Sequence, residues 1–177
     1  QLVASVPDSF INPPSILGDL VEPDSTVVLV IPIDKEAPKG RIILPQVQTL
    51  RDILDNGLKA LVVRETELKD ALSNLKEAPA LVVTDSQAFK EVSEIVPESI
   101  PLTSFSMLFA RLKGDLKVFF EGAKAVDRLK DGDKILIAES CSHHQIEDDI
   151  ARVKIPRWLK KKTGKNLEFV YHSSHDF

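Results

Sequence analysis

The chain alternates short, wholly apolar runs with amphipathic stretches, and that rhythm predicts its elements. Thr26 to Ile31 is a continuous, mostly β-branched run closed by Pro32. It is too short for a typical helix and lacks alternating polar positions, so it reads as a strand buried on both faces. Leu44 to Asn56 has helical spacing. Pro45 suits a first turn, Val47, Leu50 and Leu54 share a face, and Gly57 sits where a helix C-cap belongs.

Two similar segments follow. Ala60-Leu61-Val62-Val63 returns twenty positions later as Ala80-Leu81-Val82-Val83. Each copy leads into a capping residue and an amphipathic stretch. Thr66 precedes Leu68, Ala71, Leu72 and Leu75, while Ser86 or Asp85 precedes Phe89, Val92 and Val96. Repeated βα units with fully apolar strands predict a parallel sheet covered by helices and joined by right-handed crossovers. Ile100 to Thr103, after Pro97, fits one more short strand.

Ser104 to Leu129 is a long helical stretch broken at Gly114-Asp115. Its apolar stripe is Leu108, Leu112, Leu116, Phe119, Phe120 and Ala123, and the aromatic pair is expected in the core. Asp131-Gly132-Asp133 forms a turn into a strand at Lys134 to Ala138. Ile150 to Thr163 reads as helix with a boundary or kink at Pro156, Gly164 ends it, and Leu167 to Tyr171 is a last strand. The fold class is therefore α/β, with two consecutive βα domains whose parallel sheets are flanked by helices. The expected division is a linker at 1–15, one domain at 16–103 and a second at 104–177. With two strands and no closing helix, the second domain reads as unfinished.

The mild acidic excess, a net charge of -4, argues against nucleic acid, which requires clustered Lys and Arg. The one basic cluster, Arg157 to Lys165, is expected along a solvated helix face. No run reaches the roughly 18 apolar residues that a membrane span needs. The opening residues lack the features of a signal peptide. The single cysteine fits a reducing compartment, so the chain reads as a segment of a cytoplasmic protein.

The seven glycines form neither a G-x-x-x-x-G-K-[ST] loop nor a G-x-G-x-x-G turn, so the segment is not expected to bind a nucleotide. No nucleophile elbow or catalytic triad can be assembled, and no catalytic residue is assigned. Glu147, Asp148 and Asp149 read as a solvated helix start. The run Glu139-Ser140-Cys141-Ser142-His143-His144 directly follows a strand. Ligands of α/β folds bind at the carboxyl ends of parallel strands. A thiolate beside two imidazoles suits iron or zinc. The plainer alternatives are a buried cysteine and solvated histidines. His172 and His175 follow the last strand and can approach the same edge. Zinc would need three or four of Cys141, His143, His144, His172 and His175, whereas a 4Fe–4S cluster normally takes three or four thiolates.

Several ordered motifs resemble the HydF family of FeFe-hydrogenase maturation GTPases. They are Val28-Leu29-Val30-Ile31-Pro32-Ile33-Asp34, Glu36 to Gln46 (EAPKGRIILPQ), Thr84 to Phe89 (TDSQAF), Pro101 to Arg111 (PLTSFSMLFAR), Ile137 to His144 (IAESCSHH) and Arg152 to Leu159 (RVKIPRWL). The resemblance covers nearly the whole chain. It implies a first domain that forms a homodimer, two parallel sheets meeting across a two-fold axis. It implies a second domain that binds a 4Fe–4S cluster and carries a diiron precursor to the FeFe-hydrogenase, working with the radical-SAM maturases of the pathway. A GTPase domain would precede both, so GTP belongs to a domain absent from this segment, which is itself no enzyme. The family's cluster motif is Cys-x-His followed later by His-Cys-x-x-Cys. Cys141 and His143 match its first half, and the second half is expected beyond Phe177. Other readings are an interaction module without metal and a zinc-binding α/β domain.

Overall fold

The computed structural model describes residues 14–33, 40, 42–139 and 149–172. It contains two compact units, Gln1–Asp115 and Leu116–Phe177. The first unit holds strands β1 (Thr26–Val30), β2 (Lys59–Val63), β3 (Leu81–Thr84) and β4 (Leu102–Ser104), with helices α1 (Leu44–Asp55), α2 (Leu68–Asn74), α3 (Phe89–Ile95) and α4 (Phe105–Lys113). The second holds α5 (Leu116–Lys124), β5 (Lys134–Ala138), α6 (Ile155–Thr163) and β6 (Glu168–His172).

In the first unit the four strands are parallel in the order β2-β1-β3-β4. β1 lies inside, with Val28 opposite both Leu61 and Val82. Side chains alternate across a strand, so its apolar run serves two cores. On one face Val27, Leu29, Leu81 and Val83 pack with Ile53 of α1 and Phe105 and Leu108 of α4. On the other, Val28, Val30 and Val82 pack with Leu68 of α2 and Val92 of α3. Each such fully buried side chain contributes about 2 kcal/mol of transfer free energy. The faces follow from right-handed crossovers. The step from β1 to β2 runs in the opposite direction from those through β3 to β4, so α1 lies on the opposite face from α2 and α3.

Several local expectations needed correction. The buried positions of α1 are Gln46, Thr49 and Ile53, not the Val47–Leu54 face. Thr49 is accommodated because its hydroxyl donates to the Pro45 carbonyl at 2.8 Å. Thr66 lies within a short 3-10 turn, Glu65–Glu67, and does not cap α2. The Asp85 carboxylate accepts from the Gln87 amide at 3.0 Å, ahead of α3, which has no side-chain cap. Phe119 and Phe120 are 52% and 63% exposed, so the aromatic pair is not core. The chain divides after Asp115 and not at 104, because Phe105 and Leu108 of α4 are buried in the first unit's core.

Gly57 and Gly164, both at φ 67, follow α1 and α6 in the left-handed conformation that glycine adopts without steric cost. Pro156 occupies the first turn of α6, and the preceding Ile150–Lys154 forms a π-type turn. The proline thus marks a boundary, as its missing N–H requires.

The half-buried Asp52 carboxylate ties residues 15–18 to α1. It accepts from the Ile16, Leu17 and Gly18 amides at 2.9, 2.9 and 3.1 Å and from the Ser15 hydroxyl at 3.0 Å. Arg111 of α4 secures the same segment by donating to the Ile16 carbonyl at 3.1 Å and pairing with Asp19. Charge-assisted bonds to backbone amides are among the stronger ones, and their loss leaves half-buried donors unpaired. Asp52→Ala should therefore destabilise the protein by about 2–4 kcal/mol, read as a lower urea midpoint by far-UV circular dichroism.

Candidate functional site

In the second unit β5 and β6 run parallel, with Lys134 opposite Glu168 and Ala138 opposite His172. The Glu139 amide extends the ladder, donating to the His172 carbonyl at 2.9 Å. Both strands therefore leave the sheet at one carboxyl edge, where ligands of parallel sheets gather. Arg152 lies close by, its guanidinium 3.7 Å from the Glu139 carboxylate and 5.1 Å from the Tyr171 ring centre. Asp149 starts the turn beneath it by accepting from the Arg152 amide at 2.6 Å.

Of the sequence-derived ligands, Cys141, His143, His144 and His175 lie outside the described residues, as do Glu147 and Asp148. His172 is described. It is the last residue of β6, exposed, and beside the point where the chain leaves β5 toward Cys141. Among the described residues no group of three His, Cys, Asp or Glu side chains is placed to hold a metal ion. The basic cluster of α6 is solvated: Arg157, Lys160, Lys161 and Lys162 are all exposed.

The first unit has its own carboxyl edge. Strand order reverses between β1 and β3, the position at which doubly wound sheets open a crevice. Next to it Ser86 and Ser106 share a hydrogen bond of 2.5 Å, and Ser104 and Ser106 one of 2.9 Å. The fully buried Thr84 hydroxyl has no hydrogen-bond partner among the described residues. Ile33 is exposed there, and Asp34 and Arg41 lie outside the described residues.

Sequence reasoning missed an apolar strip along the β2 edge. Leu44, Val47 and Leu54 on the outer side of α1 are 65%, 44% and 62% exposed, and Val62 of β2 is 47% exposed. Val62 stands opposite Leu29, on the sheet face that α1 covers. The available signal was the width of the apolar set of α1. Leu44, Val47, Leu50, Ile53 and Leu54 extend beyond a single face of a helix, so one side packs inward and another is left over.

Residues 16–114 match the hydrogen maturase F dimerization domain, and residues 117–177 match the hydrogen maturase F tetramerization domain. The chain belongs to the hydrogen maturase F family. The seam between the two matched domains coincides with the structural division after Asp115. Membership in the hydrogen maturase F family places the chain in hydrogenase maturation and makes self-association the role of both domains. No described helix is long and apolar enough to cross a membrane.

No curated protein matches the chain. Among solved structures, a chain from a study of fatty acyl-adenylate ligases from E. coli and L. pneumophila overlaps 92% of this chain at 13% identity and a TM-score of 0.42. The overlap covers 33% of that ligase chain, and at this similarity it carries no argument.

Thr84 supplies a test of the first unit's edge. A buried hydroxyl without a partner costs stability, so Thr84→Val should leave the protein unchanged or more stable by about 1 kcal/mol in urea unfolding. A loss of stability would show that the hydroxyl is bonded in solution.

Proposed function

We propose that this chain is the oligomeric scaffold part of a hydrogenase maturation factor. In this reading it dimerises along the β2 edge and carries Cys141 and His143 as the first part of a 4Fe–4S ligand set. The apolar strip formed by α1 and β2, within a segment that matches a dimerization domain, carries the dimer reading. The sheet has two edges, β2 and β4. An edge strand presents unpaired N–H and C=O groups to any chain that can pair with it. β2 offers five residues flanked by exposed Leu44, Val47 and Leu54, whereas β4 offers only three. A two-fold axis sets the same patch against itself, so β2 would meet its copy antiparallel with the α1 helices alongside.

The cluster reading rests on donor chemistry and on the shared carboxyl edge of β5 and β6. Cys141 is the chain's single thiol, and a 4Fe–4S cluster takes three or four. Cys141 and His143 therefore fit as a partial set, with the remaining thiolates supplied from outside these 177 residues. When bound, the cluster supplies the iron on which the diiron precursor is carried to the apo-hydrogenase. The FeFe-hydrogenase and the radical-SAM maturases are the partners of this reading, GTP is hydrolysed in a separate domain, and the lone thiol suits the cytoplasm. The position of His172 favours a second reading, zinc held by Cys141 with neighbouring histidines.

Two measurements test these assignments. Val47→Glu with Leu54→Glu should weaken the dimer at least tenfold, about 1.4 kcal/mol, in light scattering over a dilution series, with the circular dichroism spectrum retained. A dimer of undiminished affinity would remove the β2 edge from consideration. Anaerobic reconstitution of the protein with its natural C-terminus should yield iron and acid-labile sulfide that fall on Cys141→Ala. Stoichiometric zinc without iron would instead select the second reading.

A further inference from the structure

Among the described residues two buried side-chain oxygens have no hydrogen-bond partner, Glu65 Oε2 and Thr84 Oγ1. Both lie at the carboxyl edge of the first unit's sheet. Val30 is in register with Val63 on one side and with Thr84 on the other, and residues in register share a face. Arg64 is extended, at φ -81 and ψ 163, so Glu65 returns to the side of Val63. The two oxygens therefore occupy one face, that of α2 and α3, one just past β2 and the other at the end of β3. Those strands flank β1 and are two strand spacings apart, roughly 10 Å. Neighbouring groups are engaged elsewhere. The Arg64 guanidinium pairs with Glu67. Ser104, the register neighbour of Thr84, accepts from the Met107 amide at 3.3 Å and shares a bond of 2.9 Å with Ser106. A buried polar atom left unpaired costs stability and is uncommon in a native protein, and a ligand that completes both accounts for two at one edge.

We infer that this edge binds a ribonucleoside, its ribose hydroxyls donating to Glu65 and its opposite end bonding the Thr84 hydroxyl. Position selects the class first. Ligands of doubly wound sheets lie where the strand order reverses, which here is beside β1, and an acidic side chain after the second strand holds the ribose hydroxyls. Glu65 stands two residues after β2, in that place. Donor chemistry agrees. An unpartnered carboxylate oxygen needs a donor, which a hydroxyl supplies, while Thr84 can either donate or accept. A divalent cation would need several oxygen ligands, and no three His, Cys, Asp or Glu side chains are placed together among the described residues. The seven glycines form no phosphate-cradling loop, so the ligand is the nucleoside and not its phosphates.

Calorimetric titration of the 177-residue chain with adenosine and with guanosine, followed by the 2′-deoxy form of whichever binds, tests the assignment. The expected result is binding that weakens by about tenfold or more when the 2′-hydroxyl is removed, and by a similar factor in Glu65→Gln. Thr84→Val should weaken binding as well while unfolding at the same or a higher urea concentration, which separates lost recognition from lost fold. Should Thr84→Val fail to fold, Glu65→Gln carries the test alone, since Glu65 is only half-buried. Absence of binding by both nucleosides overturns the inference. Undiminished affinity in Glu65→Gln overturns it too, because the ligand then lies elsewhere, and equal affinity for the 2′-deoxy form removes the ribose from recognition.

Discussion

A parallel sheet rarely leaves a face to water, because its strands come from βαβ units whose apolar side chains point to both sides. The first unit meets this requirement completely. Val27 and Leu29 face α1 and α4, while Val28 and Val30 face α2 and α3. The direction of each strand step selects the helix face through crossover handedness, so one unbroken apolar strand and one chirality rule account for its layered form. Asp52 and Arg111 then fasten residues 15–19 to α1 and α4.

The second unit meets the same requirement by half. Among the described residues Ile137 of β5 is buried, while Leu136 and Val170 on the alternate face are exposed. The family assigns self-association to both units.

Ligand chemistry follows the same geometry. Parallel strands release their chain at one end, so the residues after β5 and after β6 begin side by side, joined by the Glu139–His172 hydrogen bond. The only thiol of the chain follows one of these ends, and His172 closes the other.

The α/β class, the strands at β1, β3 and β5, the caps at Gly57 and Gly164 and the boundary at Pro156 were all legible in the sequence. Each depends on local rules: apolar runs without alternation, glycine at positive φ, and a proline without an N–H. The motif around Cys141 and His143 was read from residue type and spacing alone, and both residues lie outside the described ones. Three features were not local. The inward side of α1 turned out to be Thr49 and Ile53, because burial depends on where the sheet lies rather than on which helix face is more apolar. Phe105 and Leu108 joined the first unit, because the helix that follows β4 directly packs its buried side chains against Val27, Leu29 and Ile53. The exposure of Val62, Leu136 and Val170 was hidden for the same reason. A strand's sequence records that its side chains want cover, while only the tertiary structure decides whether that cover comes from its own chain or from another.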